Sequence, residues 1–243
     1  MDSFIALAID NNLVKAGPVA AAFVFVWQAG SKEARQRSRR VLLVTIPSVL
    51  LVLLSTKAVA DTVFLPRPFI QSQQAYHLEG ERLVESSRLA YRVPQEGFSH
   101  GRFERLKQGE IEENDLASFP SDHAAFFFAL SLGIFLASRR VGLFALAWTL
   151  IVICGARIIS GTHSPLDIVA GLSIGGAILL ALQFMASRWL AGPLNVAGQW
   201  TFRYPALASA GLFLILFEVA NTLENTREVL RTAAGAGQRL AGL

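Results

Sequence analysis

Two histidines stand among polar residues at the ends of long apolar runs. His123 lies in FPSDHA, residues 119–124, and His163 lies in ARIISGTHSPLD, residues 156–167. A histidine titrates near neutral pH, so it can act as a nucleophile or as a general acid and base. Two of the four histidines in the chain are therefore candidates for catalysis.

Cations and a helix start accompany these histidines and indicate an anionic substrate. The cations are Arg67, Arg157 and Lys57. An arginine presents a planar fork of donors that suits phosphate oxygens. Ser121 and Asp122 open a helix, where backbone N–H groups and the helix dipole favour an anion. Together the groups predict a phosphoryl-transfer site.

Asp167 follows His163 by four residues, and the spacing has two interpretations. If the helix already includes His163, the two side chains stack, and the carboxylate could fix the imidazole tautomer as in a hydrolase triad. Alternatively, Ser164 caps the helix, Pro165 takes its first position and Asp167 its third. The sequence leaves both interpretations open.

Other members of the clusters also have structural explanations when each is taken alone. Arg67–Pro68 could be an interfacial arginine before a helix-ending proline, and His123 could be a satisfied interfacial histidine. Only the combination of these residues indicates a functional site, because the predicted topology brings all of them to one membrane depth. Polar residues at such a depth are functional candidates by default.

The chain that positions these residues has the composition of an integral membrane protein. Of its 243 residues, 53% are hydrophobic and 16% are charged, whereas a soluble domain carries about a quarter charged residues. The apolar windows lack the polar stripe of a soluble helix, and a membrane crossing needs about 20 residues. The sequence therefore predicts an all-α polytopic membrane protein, a single domain over 1–243, with about six transmembrane helices. The windows lie near 13–30, 41–63, 121–138, 141–160, 165–187 and 204–223.

The basic residues predict how the chain crosses the membrane. The link 31–40 has five Lys/Arg against one Glu, and the link 138–140 reads SRR. Short basic links stay in the cytoplasm, so the links 64–120 and 160–165 should face the outside, or the periplasm. We thus expect a protein of the plasma (inner) membrane, without a removable signal peptide. Its pI of about 9.6 fits lipid anchoring, and no basic stripe predicts binding to nucleic acid.

The long outer loop, about 69–118, is predicted to be a lid over the site. The stretches GERLVESSRLAYRV (80–93) and GRFERLKQGEIEENDL (101–116) have helical spacing of apolar residues. They favour two amphipathic helices lying on the membrane surface. The alternative is a solvated loop without such helices.

The three polar clusters resemble the type 2 phosphatidic acid phosphatase superfamily, membrane relatives of the vanadium haloperoxidases. Its pattern is K-x6-R-P, then P-S-G-H, then S-R-x5-H-x3-D. The chain matches it at Arg67–Pro68, at residues 120–123 and from Arg157 to Asp167. The resemblance covers roughly 55–185 and implies that four central helices, within about 41–187, form the catalytic bundle.

The chain departs from the family pattern at three positions. The family lysine would fall at Ala60, and the nearest lysine is Lys57, about 4.5 Å along a helix and about 60° around it. The serine before Arg157 is replaced by Ala156, and the glycine of P-S-G-H is replaced by Asp122. The form FPSDHA is similar to the branch of bacterial undecaprenyl-diphosphate phosphatases.

The resemblance implies a mechanism through a phosphohistidine. His163 attacks phosphorus, Asp167 orients it, and His123 protonates the leaving lipid oxygen before activating water. No cofactor and no metal are expected. The residues that would bind the phosphate are Arg67, Arg157, Lys57, Ser121 and Asp122, the last through its backbone N–H.

Several functions fit these features. The first is hydrolysis of a lipid phosphate or diphosphate, with undecaprenyl diphosphate or a similar isoprenyl diphosphate as the leading substrate. The alternatives are another lipid phosphate (phosphatidic acid, phosphatidylglycerophosphate or lipid A) or transfer of the phosphoryl group to a second lipid. A different class would be a transporter or a non-catalytic lipid-binding protein. A transporter predicts helices that are broken in mid-membrane, whereas the polar clusters here fall at helix ends.

Overall fold

The computed structural model of the chain describes residues 2–60, 62–63, 65, 67–68, 76–79, 82–85 and 118–220. A π-helical segment, Trp148–Cys154, joins two of its helices into one continuous helix from Arg139 to Ile159. The helices are α1 Asp2–Asp10, α2 Asn12–Gln28, α3 Lys32–Ala60, α4 Asp122–Ala137, α5 Arg139–Ala147, α6 Gly155–Ile159, α7 Pro165–Trp189, α8 Ala191–Arg203 and α9 Pro205–Ala220.

Three helices in the described ranges are long and apolar enough to cross a membrane. They are α3, the continuous helix Arg139–Ile159, and α7. A bend of 108° separates α8 from α9, so this pair supplies at most a fourth span. The prediction of an all-α polytopic membrane protein is confirmed.

Six separate spans are not confirmed. The predicted windows 13–30, 121–138 and 204–223 correspond to α2, α4 and α9, which have 17, 16 and 16 residues. These lengths fall short of the roughly 20 residues of a full crossing. Apolar sequence alone does not show where a helix bends or ends.

The described part of the outer loop is a β-hairpin. Strand β1, Tyr76–Glu79, pairs antiparallel with strand β2, Arg82–Glu85. The prediction of an amphipathic helix over 80–93 is therefore wrong for 82–85. Only two residues separate the strands, a spacing typical of a tight hairpin, and cross-strand pairing then satisfies the backbone in place of a helical turn. The second predicted helix, 101–116, lies outside the described residues.

Helix α4 is the centre of the bundle. Helices α3 and α7 both pack against it, and Phe126 and Phe127 have no exposed surface. Their rings meet edge to face with centroids 5.0 Å apart, a favourable arrangement for aromatic pairs. A helix that is apolar on all sides is buried on all sides, so neighbouring elements fix the polar residues at its start.

Helices α4 and α7 approach each other closely through two glycines. A Cβ on Gly171 would collide with the carbonyl oxygen of Ser121, and one on Gly175 would collide with that of Ala125. Small residues four positions apart let membrane helices pack backbone against backbone. The Ser121 N–H also donates to the Asp167 carbonyl at 3.1 Å. The first turns of the two helices are thus tied together.

One arginine of the basic 31–40 link is part of the core. The Arg39 guanidinium lies between the rings of Trp27 and Phe202, 4.9 and 4.2 Å from their centroids. It donates to the Trp27 carbonyl and to the Thr201 hydroxyl. Such stacking and hydrogen bonding suit a planar guanidinium, so Arg39 joins α2, α3 and α8.

Candidate active site

Ser121 caps α4 and sets the start of the motif that contains His123. Its hydroxyl oxygen accepts the Ala124 N–H at 3.3 Å, and the side chain is fully buried. The Asp122 carboxylate accepts the His123 N–H at 2.7 Å. The N–H groups of Ala124 and His123 are therefore already bonded within the protein, because serine and aspartate side chains satisfy the free N–H groups of a helix start.

Asp122 also holds the ring of His123. Its Oδ1 atom lies 2.7 Å from His123 Nδ1. A carboxylate only accepts hydrogen bonds, so Nδ1 carries a proton and Nε2 is the atom available for proton transfer. The His123 side chain is 21% exposed, and a substrate can therefore reach it. Asp122 and His123 form an acid–imidazole pair.

His163 is held by a backbone carbonyl. Its Nδ1 lies 2.9 Å from the Ser118 carbonyl oxygen. A carbonyl oxygen only accepts, so Nδ1 carries the proton, and the lone pair of a neutral imidazole is on Nε2. The Asp167 carboxylate lies 3.9 Å from Nδ1, too far for a hydrogen bond.

Asp167 caps α7, and its expected role in orienting His163 stays a prediction. Its carboxylate accepts the Ser164 N–H at 2.6 Å, and the Ser164 hydroxyl accepts the Asp167 N–H at 3.3 Å. The helix begins at Pro165, so His163 is not in it and the two side chains do not stack on one helical face. The capping interpretation holds because this reciprocal bonding satisfies the N–H groups of the first turn.

Ser118 fastens the first motif beside the other two. Its N–H and its hydroxyl donate to the Leu65 carbonyl at 2.8 and 3.1 Å. Leu65 precedes Arg67 by two residues, and Ser118 precedes Ser121 by three. The same residue therefore joins the two ends of the outer loop and positions His163.

A tight loop sets the separation between Arg157 and His163. The Arg157 carbonyl accepts the N–H groups of Thr162 and His163 at 3.1 and 3.2 Å. Gly161 has φ +71°, a conformation that glycine adopts without steric cost. The Arg157 side chain is 4% exposed, so the loop keeps a buried guanidinium and a buried imidazole at one end of the bundle.

Burial and positive charge keep His163 neutral. Burial, together with the charges of Arg67 and Arg157, lowers its pKa to about 3, and the charge of Asp122 opposes this shift. Charges from all three motifs thus act on this imidazole. At neutral pH its Nε2 lone pair is free of a proton, which a nucleophile requires.

Two lysines of this region differ in burial. Lys57 is exposed on the last turn of α3, while the neighbouring Thr56 is buried. Lys15 on α2, which the sequence analysis missed, is 7% exposed, and its charge acts on His123. A lysine within the apolar window 13–30 was the available signal, because ionisable residues in such windows mark functional sites.

The two acidic residues of the site are bonded to groups of the protein. Asp122 binds the His123 ring and Asp167 caps α7. Within the described residues, no group of three or more His, Cys, Asp or Glu is arranged to hold a metal ion. The expectation that the reaction needs no metal stays a prediction.

Comparisons with known proteins find one matching family and one related protein. A family model described as the PAP2 superfamily matches residues 41–190. A protein named bacitracin transport permease protein BcrC, from Bacillus licheniformis, is 42% identical over 75 residues, which are 29% of this chain and 32% of that relative. The chain thus matches less than a third of the length of this relative. No solved structure matches the chain.

Proposed function

Because the chain belongs to the PAP2 superfamily, whose members are phosphatases, we propose that it removes the terminal phosphate from a lipid phosphate or diphosphate. Our leading substrate is undecaprenyl diphosphate or a similar isoprenyl diphosphate. The observation that carries the proposal is the pair of histidines whose Nδ1 atoms are both held by acceptors. This arrangement leaves each Nε2 for chemistry beside two arginines.

The first step forms a phosphohistidine. The Nε2 lone pair of His163 attacks the terminal phosphorus, and the bond from phosphorus to the leaving oxygen breaks. His123, as an imidazolium, donates its Nε2 proton to that oxygen. Arg67 and Arg157 stabilise the charge that spreads over the equatorial oxygens, and Ser121, Asp122 and Lys57 remain candidates for further phosphate contacts.

The second step releases the phosphate. Neutral His123 takes a proton from a water molecule, whose oxygen attacks the phosphorus of the phosphohistidine. The bond between phosphorus and Nε2 breaks, so inorganic phosphate leaves and both imidazoles return to their starting protonation. The Ser118 carbonyl supports His163 throughout, and Asp167 acts indirectly by fixing the start of α7.

We also propose a substrate preference and a location in the membrane. The motif FPSDHA favours isoprenyl diphosphates, and the basic links favour a plasma (inner) membrane protein whose site faces the periplasm or the outside. The outer loop would shape lipid access. Phosphatidic acid, phosphatidylglycerophosphate and lipid A, or transfer to a second lipid, are the enzymatic alternatives. The relative's name, a transport permease protein, keeps transport as the alternative from a different class.

A substrate panel tests the proposed function. Purified protein in detergent, with a metal chelator present, should release phosphate from isoprenyl diphosphates faster than from glycerolipid phosphates or lipid A. His163→Ala should lower the rate by at least about 1,000-fold, since removing a nucleophile leaves only binding and electrostatic effects. Its thermal unfolding should match that of the wild type. If no lipid phosphate releases phosphate, the enzyme assignment is wrong.

A further inference from the structure

Lys15 is a buried cation in the first half of α2. Its side chain is 7% exposed, and its neighbours Ala16 and Val19 belong to the hydrophobic core. A charged side chain within an apolar helix bundle is costly and in membrane proteins faces a functional interior or cavity. The burial therefore needs a functional or a structural reason.

The packing of α1 and α2 brings Lys15 to the end of the bundle that holds the catalytic residues. Ile5 and Ala8 of α1 pack against Ala156, the residue before Arg157. The Val14 carbonyl accepts a hydrogen bond from the Trp148 indole at 3.2 Å. The first contact places α1 beside Arg157, and the second joins the start of α2 to the same continuous helix at Trp148, nine residues before Arg157. Lys15 is the next residue after Val14.

Lys15 lies on the His123 side of the site. Its positive charge acts on His123, on which Arg157 acts more strongly, whereas Arg67 and Arg157 act most strongly on His163. The attacking and leaving groups of a phosphoryl transfer stand roughly in line on opposite sides of phosphorus. A cation beside the general acid therefore faces the leaving group.

We propose that Lys15 binds the phosphate that stays on the lipid when a diphosphate is hydrolysed, and so selects diphosphates over monophosphates. This inference rests on the proposed function. An isoprenyl diphosphate leaves as a negatively charged isoprenyl phosphate, whereas a monophosphate leaves as a neutral alcohol. A cation on this side stabilises the first leaving group and gives little to the second.

The first motif lacks the lysine of the family pattern. The family position is Ala60, and Lys57 on the same helix is exposed. Lys15 supplies a positive charge from a different helix, α2. Because Lys15 lies on the His123 side, it recognises the phosphate that stays on the lipid. Arg67, on the His163 side, binds the phosphate that is transferred.

The test compares farnesyl diphosphate with farnesyl monophosphate, which share one lipid tail. In detergent, Lys15→Met should lower kcat/KM for the diphosphate by about 10- to 100-fold, the size expected for loss of one charged contact. The value for the monophosphate should fall by less than about threefold. Lys32 is exposed at the first residue of α3, far along that helix from Lys57. Lys32→Met is the matched control and should leave kcat/KM for both substrates unchanged.

The outcomes for the two substrates decide whether Lys15 selects diphosphates. An active wild type whose preference is unchanged in Lys15→Met overturns the inference, as does a preference lost in Lys57→Met instead. If Lys15→Met does not fold, Lys15→Arg decides: a raised KM for the diphosphate alone supports the role, and equal KM changes for both substrates contradict it. A wild type inactive on every lipid phosphate overturns the proposed function, and with it this inference.

Discussion

The two histidines of the site are held by acceptors of different charge. His163 donates to the neutral carbonyl of Ser118, and His123 donates to the carboxylate of Asp122. A neutral acceptor fixes a tautomer without favouring an imidazolium, which suits a nucleophile. A carboxylate favours the protonated ring, which suits a proton donor. The acceptor groups bonded to the two Nδ1 atoms thus match the two proposed roles.

This difference predicts unequal effects of removing the two aspartate charges. Asp122→Asn should lower kcat by about 10- to 100-fold, within the range for impaired general acid–base catalysis. Asp167→Asn should lower it by less than about fivefold, because an asparagine oxygen can still accept the Ser164 N–H. Steady-state phosphate release by the two variants measures the ratio. A larger loss in Asp167→Asn would show that the more distant carboxylate supports His163 directly.

The residue types of the site could be predicted from the sequence, but their partners could not. His123, His163 and Arg157 stand out because polar residues are rare in apolar runs. The acceptor for His163 is a backbone carbonyl, which every residue has, so Ser118 carries no pattern that singles it out. Lys15 was missed because it lies far in sequence from the three motifs and only the packing of α2 brings it near His123.

At the level of helices, the contact between α4 and α7 determines how the motifs meet. The glycines on α7 allow a backbone approach, and the bond between Ser121 and Asp167 lies at the same end. Any side chain at Gly171 must push the two helix starts apart. The site therefore depends on a residue that has no chemical function of its own.

We expect Gly171→Ala to reduce both stability and activity. The added methyl group meets backbone atoms, which cannot rotate away, and overpacking costs about 1–3 kcal/mol. The thermal midpoint should fall by several degrees, and kcat should fall by about tenfold or more because catalytic groups tolerate little displacement. Thermal unfolding in detergent and phosphate release measure the two effects.

Gly211→Ala is the matched control, because no atom lies within 4 Å of a Cβ added to this helical glycine on α9. It should leave both quantities unchanged. If Gly171→Ala behaves like Gly211→Ala, the close approach of α4 and α7 does not determine the site geometry.

The helices were predictable because their apolar windows are long, but their ends and bends were not. The window 204–223 continues apolar sequence from the preceding link, yet α8 and α9 are bent by 108°. The hydropathy of a segment does not depend on the path of its backbone, so it does not reveal such a bend. The hairpin of β1 and β2 was missed because a short stretch with Leu83 and Val84 among charges fits a helix and a strand equally well.

For the whole molecule, the basic links predict an orientation that labelling can measure. In a Cys154→Ala background, Thr62→Cys places a thiol on an exposed residue beyond α3 at the site end, and Arg139→Cys places one on an exposed residue at the opposite end. A membrane-impermeant maleimide applied to intact cells, or to spheroplasts if an outer membrane is present, should label Thr62→Cys alone. Permeabilisation should expose Arg139→Cys. The reverse pattern would place the site in the cytoplasm.

The bonds between Ser118 and Leu65 make the outer loop an exchangeable unit. Its two ends are fixed at one point by backbone atoms and a single hydroxyl, and the Ser118 carbonyl at that point holds His163. Each doubling of a flexible loop costs only about 0.6 kcal/mol. Loops of other lengths can thus be grafted between these ends, and under the proposed function the range of lipids accepted can then diverge while the two histidines keep their positions.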